Sequence, residues 1–230
     1  MTMLHNTTKR FPRVAPILLV AFGAVACSDE TGSITDPGEL GNITLDVRVH
    51  LLESDQFAAL DATLTDSDVA VLFEGVNEIW SQAGITWRVE SVVREPSLDG
   101  TSFIAALNGV IPVTGSVLAS ILPSDNLLAG RWNVFVIRDF GNFAGGVYLD
   151  FRGAVIFAEN GPIGPQDPTS DGRRILAHEL GHSLSLFHVP CTSAGNLMAP
   201  GCPAQDRTRL EPGQITPARA QAQRGRPFGI

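Results

Sequence analysis

The chain has 230 residues, 44% of them hydrophobic, and sets 16 basic against 24 acidic residues for a formal net charge of −8. That length can bury one substantial core and is short for several domains. The acidic balance repels phosphate backbones and argues against a nucleic-acid partner.

The first 27 residues join a basic stretch ending at Arg13, an apolar run from Pro16 to Ala26 (PILLVAFGAVA) and Cys27. This is the order of a signal peptide, so export is expected. The run is far shorter than the ~20 residues a transmembrane helix needs, and no later stretch does better. Ala24-Val25-Ala26 fits the small-x-small rule for ordinary cleavage. The same residues with Cys27 resemble a bacterial lipoprotein box, except that Ala24 stands where a larger aliphatic residue is usual. Cysteine parity favours lipidation of Cys27. The three cysteines are Cys27, Cys191 and Cys202, and an exported protein seldom leaves an odd thiol free. A cell-envelope lipoprotein and a fully secreted protein both stay open, and a membrane would be touched only through the lipid. Loss of Lys9, Arg10 and Arg13 with the leader leaves 13 basic against 24 acidic residues, a net −11. Residues 28–42 (SDETGSITDPGELGN) are polar, acidic and rich in turn formers, which suits a flexible tether. One folded domain, 43–230, is expected to follow.

Ile43, Leu45, Val47, Val49 and Leu51 alternate with mostly polar neighbours, the period of a strand with one buried face. From Asp68 to Ala83, Val69, Leu72, Phe73, Val76, Ile79, Trp80 and Ala83 recur three or four apart and form one helical stripe. Thr65, Asp66 or Ser67 can cap its start, and Gly84 can supply the left-handed residue that ends it. Ile85, Trp87 and Val89 alternate again, so the unit reads strand, helix, strand, a crossover that makes the two strands parallel. Residues 96–131 mix turn formers with short apolar runs, helical near 101–108 and 115–122 if anywhere. Trp132 to Ile137 (WNVFVI) and Ala154 to Ala158 (AVIFA) are apolar throughout, as strands covered on both faces must be. Between them 145–149 (GGVYL) reads as a short edge strand. A Gly- and Pro-rich loop, 159–172, then leads into a further helix. The expected fold class is therefore α/β, a twisted mixed sheet with helices packed against it.

Residues 178–188 read HELGHSLSLFH. Residues four apart share a helix face, so His178 and His182 can offer two imidazoles to one ion. Glu179, rotated by ~100°, can reach a water beside that ion without being a ligand. Zinc in such a site acidifies water and polarises a carbonyl, while the carboxylate moves the proton. His188 is the nearest third ligand. Ten residues of continuous helix would carry it ~15 Å from His178, so the helix must break after His182.

The segment resembles the metzincin pattern HExxHxxGxxH, with Ser185 where the family's helix-breaking glycine stands. Asn196-Leu197-Met198, ten positions after His188, resembles the family's methionine turn, and VNEIWSQAGITWRV (76–89) looks like its first helix and second strand, particularly in pappalysin-like members. The likeness covers about 43–223, with a small C-terminal subdomain from about 189, and only 178–198 is motif-specific. It implies one catalytic Zn2+ held by His178, His182 and His188, Glu179 as general base, and a monomeric zinc metalloendopeptidase. Met198 would lie beneath the ion, and a peptide or protein substrate would pair with the edge strand. Some metzincins add a tyrosine two residues after the methionine; that position is Pro200, and Tyr148, on the edge strand, is better placed to pack or touch substrate. Leu210 to Arg224 resembles the family's C-terminal helix, with Thr216 as cap, Pro217 in its first turn and arginines on a solvated face.

Cys191 and Cys202 bracket the methionine turn, where a disulfide would contribute ~3 kcal/mol by the chain-entropy model. Cys191 as a fourth ligand would instead seal the site and abolish catalysis. Two rivals to the peptidase reading also stand. One is a non-catalytic exported zinc-binding or adhesive lipoprotein on the same fold, which has no use for Glu179. The other pairs His178 and His182 with Glu211, which needs a second helix that Pro212 and Gly213 disfavour.

Overall fold

The computed structural model describes residues 41–141, 143–161, 164–165, 171–193, 195–200 and 207–230. The leader, Cys27, most of the tether and Cys202 lie outside the described residues. No helix among those described is long and apolar enough to cross a membrane.

The first unit is the expected crossover. Strand β1 (Ile43–Glu53) leads to helix α1 (Asp66–Trp80), and β2 (Ile85–Pro96) returns parallel to β1. Thr65 caps α1 by accepting from the Asp68 N–H, Asp68 caps Thr65 in return, and Gly84 ends the following 3-10 turn at φ 58°. Asn77 on α1 clasps the Trp87 backbone through both its amide groups, at 2.7 and 3.0 Å, which fixes the register of helix against strand. Short helices α2 (Gly100–Leu107) and α3 (Gly115–Ala119) occupy the stretch without a clear period. Strands β3 (Trp132–Asp139), β4 (Gly146–Leu149) and β5 (Ala154–Gly161) complete the main sheet in the order β2-β1-β3-β5-β4. All neighbours are parallel except β4, which lies antiparallel to β5 at the edge.

The apolar continuity of β3 and β5 has the expected cause, since both faces of the sheet are covered. One face packs Val134, Val136, Val155 and Phe157 against α1 and the helix that follows β5. The other packs Phe135, Ile137, Ile156 and Ala158 against α2 and α3. The expected loop 159–172 is shorter than it reads. Strand β5 continues to Gly161, β6 (Gly164–Pro165) pairs back onto it, and helix α4 begins at Asp171.

A second correction concerns the last helix. Helix α5 runs from Pro212 to Gln223, so Pro212 takes the first helical position, Glu211 caps it in place of Thr216, and Pro217 lies inside. Nor are all its arginines solvated. Arg219 donates to the carbonyls of Ala83 (2.6 Å) and Gly41 (2.9 Å), which ties α5 to the start of the sheet.

Candidate metal centre

Helix α4 (Asp171–Ser183) buries Leu176, Ala177 and Leu180 against the sheet, and this leaves its opposite face free to present His178 and His182. Two tryptophans fix its seat. Trp80 Nε1 donates to Ala177 O at 3.2 Å, and Trp132 Nε1 donates to Ser183 Oγ at 3.0 Å. The rings pack edge to face through Trp87, with centroids 6.3 and 5.5 Å apart.

The helix stops where the third histidine requires it to stop. Ser185 has φ 65°, and it is the one non-glycine residue with positive φ among the described residues. Ser185 N–H donates to His182 O and Leu186 N–H to Gly181 O, both at 3.0 Å, which is the paired bonding of a Schellman end with serine in the place glycine usually takes. The chain then reverses so that His188 faces His178 and His182. Its Nε2 lies 3.1 Å from the Nε2 of each.

The outer ring nitrogens explain why these three atoms converge. His178 Nδ1–H donates to Leu197 O at 2.7 Å, and His182 Nδ1–H donates to Leu186 O at 2.8 Å. A carbonyl can only accept, so both protons sit on Nδ1 and both Nε2 lone pairs point at the common centre. Burial, the largest cause, pushes the His178 imidazolium down to about 3, and it lowers His182 as well. Neutral imidazole is the form that binds metal.

Three imidazole nitrogens at Zn–N distances of ~2.05 Å and tetrahedral angles stand about 3.3 Å apart. The 3.1 Å separations therefore fit one ion of that size, and lone pairs at such range repel unless a cation is shared. Among the described residues, His178, His182 and His188 form the group that could hold a metal ion. Neither Cys191 nor Glu211 belongs to that group. Cys191 is exposed at the start of the methionine turn, and its expected partner Cys202 lies outside the described residues.

Glu179, next to His178 on α4, is buried against β4. Burial pushes its carboxyl up to about 8, while a hydrogen bond from the Tyr148 backbone pulls the other way. Gly146 makes this proximity possible, since a Cβ there would come within 2.7 Å of Glu179 Cγ. Gly181 has the same function below. Its missing Cβ would lie 2.6 Å from Met198 Sδ, so the completely buried Met198 packs directly against α4 between the two histidines of the motif.

The turn carrying Met198 is itself braced. Asn196, fully buried, accepts from the Met198 N–H at 2.8 Å and donates to Gln214 Oε1 at 2.9 Å, so the start of α5 sets the height of the turn. Met198 O takes the Val189 N–H, and Leu197 O takes His178. The braces Asn196 and Gln214, and the glycines 146 and 181, were not assigned roles from sequence. Gly181 stands inside the motif in plain view, but nothing in the sequence says what it faces. Tyr148, expected to pack or to touch substrate, packs against the core and donates its hydroxyl to Phe228 O, and burial raises its pKa.

No family model matches the sequence, and no curated protein matches it. Among solved structures, the chain is similar to Tannerella forsythia mature mirolysin in complex with a cleaved peptide. That match has 13% identity and a TM-score of 0.48 over 81% of this chain and 96% of the other. It is also similar to metalloproteinase-II from Bacteroides fragilis, at 17% identity and a TM-score of 0.44 over 79% of this chain. In the second case the chain spans about half of the other, 54%. Likenesses of this strength carry nothing about chemistry, which rests on the chain's own residues.

Proposed function

We propose that the chain is a zinc-dependent metallopeptidase, and more finely an exported endopeptidase of metzincin type in which Glu179 is the general base. The observation that carries the reading is the convergence of His178, His182 and His188 Nε2 atoms beside a buried carboxylate. A purely structural or storage site has no use for Glu179, whose burial costs free energy that packing alone does not return.

Zinc held by the three imidazoles would polarise the scissile carbonyl, acidify a water and, by its charge, favour the ionised form of Glu179. Glu179 then takes a proton from the attacking water and passes it to the leaving amine nitrogen. Leu197 and Leu186 carbonyls keep the histidines in their ligand tautomer throughout. The outer edge of β4 offers backbone groups with which an extended peptide can pair, a few ångströms from Glu179. A Cys191–Cys202 disulfide, and anchoring through a lipidated Cys27, belong to the same proposal.

The test is to load the purified protein with zinc, measure bound metal, and follow cleavage of a denatured protein. Wild type is expected to cut and Glu179→Ala to lose at least about a hundredfold in kcat/KM while keeping its zinc. Equal cleavage by both proteins would remove the mechanism. Full zinc occupancy with no cleavage by wild type would leave a non-catalytic zinc-binding protein.

A further inference from the structure

We infer that Phe187 and Phe228 form a subsite for one bulky apolar side chain of the peptide, an inference that rests on the peptidase reading above. Phe187 is 71% exposed, and the residues on either side of it are hydrogen-bonded in place. Leu186 before it accepts from His182, His188 after it belongs to the metal cradle, and Val189 N–H donates to Met198 O. An apolar ring held in water between two positioned neighbours offers a large contact area once the metal cradle is formed.

Its neighbour is held as firmly. Phe228 N–H donates to Ser183 O at 2.8 Å, and Phe228 O accepts from the Tyr148 hydroxyl, so the C-terminal segment is tied to the end of α4 and to β4 together. Gly229, at φ 98°, then turns the chain against Asp150, whose carbonyl would lie 2.6 Å from any Cβ there. The Phe187 and Phe228 rings meet edge to face with centroids 6.1 Å apart at 85°. That geometry leaves ring face and edge open to a further apolar group.

The subsite is continuous with the substrate edge. Gly146 abuts Glu179, and Tyr148, two residues or about 7 Å further along β4, reaches the Phe228 carbonyl. A peptide paired along β4 therefore passes Glu179 and comes to the rings within about two or three residues. Two rings are far too little area for a stable protein interface but suit a single side chain.

The experiment uses zinc-loaded protein and peptides of Ala, Ser and Gly carrying one Phe at successive positions, with cuts located by mass spectrometry. Wild type is expected to cut at a fixed offset from the Phe, with kcat/KM about tenfold or more above the Phe-free parent. Phe187→Ala and Phe228→Ala should abolish both offset and preference with zinc content retained, and Phe187→Leu should restore part of the preference. A Phe187→Ala protein that keeps offset and preference overturns the subsite. Binding of the same peptides to Glu179→Ala, read by fluorescence anisotropy, separates the two ideas. Phe-dependent binding without any cleavage by wild type sinks the peptidase and leaves the subsite, whereas cleavage indifferent to Phe does the reverse. Neither binding nor cleavage overturns both.

Discussion

Ser185 stands at φ 65° in the turn that brings His188 back to His178 and His182, and its tolerance can be put in numbers. A left-handed non-glycine residue costs roughly 1 to 2 kcal/mol. Replacing it with glycine removes that strain but gives the unfolded chain freedom that costs about 0.4 to 1 kcal/mol. Ser185→Gly is therefore expected to match or exceed wild type in stability, by up to about 1.6 kcal/mol. Ser185→Val puts a β-branched side chain in the same backbone state and should cost ~2 kcal/mol or more, with zinc affinity falling by tenfold or more because His188 is downstream of the turn. Chelator competition and thermal melts of the two variants check this; a valine variant as stable and as tight as wild type would mean the turn does not set His188. The three histidines that converge are legible in sequence because two lie four apart on one helix face and the third is reached only if the helix breaks after His182. Their orienting partners, Leu186 O and Leu197 O, are not, since every residue has a carbonyl.

Helix α4 sets two propensities against each other at Gly181. Glycine inside a helix is normally less stable than alanine by about 1 kcal/mol, so Gly181→Ala ought to stabilise by propensity alone. Here the new Cβ would come within 2.6 Å of the Met198 sulfur, in a place with no exposure into which the thioether can retreat. Overpacking of that kind costs typically 1 to 3 kcal/mol, and it outweighs the propensity gain. The variant should melt lower and bind zinc more weakly, because the displaced turn also carries the Leu197 carbonyl that orients His178. A higher melting temperature for Gly181→Ala would show that the turn is not packed against α4. At the scale of elements, β1, α1 and β2 were legible from the period of their apolar residues, and β3 and β5 from apolar runs of the kind that strands covered on both faces carry. The start of α5 was misplaced because proline favours a first turn, and two prolines, Pro212 and Pro217, competed for that position; tertiary contacts made by Arg219 and Gln214 support a helix that runs through the second.

Across the whole molecule the sheet and the metal cradle are held by different forces. The sheet buries apolar residues on both faces, and its buried polar residues, His50 between Glu95 and Asn133 at 2.5 and 3.0 Å and Glu159 held by Thr63 and Leu64, are hydrogen-bonded. The order β2-β1-β3-β5-β4 was not legible in the sequence, because apolar strands do not name their neighbours, although β4 at the edge and the parallel first pair were. The segment from Leu184 to Pro200, by contrast, has few apolar anchors beyond Leu184, Leu186, Leu197 and Met198, and it depends on single hydrogen bonds to α4 and α5. Metal removal should therefore loosen the cradle and spare the sheet. On chelation, amide exchange is expected to quicken across 184–200 while β1, β3 and β5 keep their protection. The melting temperature of the loaded protein should rise with free zinc, by the equivalent of about 2.7 kcal/mol at a hundred times the dissociation constant. Exchange that quickens equally in β3 and in the cradle would mean that the ion holds the fold rather than the site, since α4 would then have no seat of its own on Trp80 and Trp132.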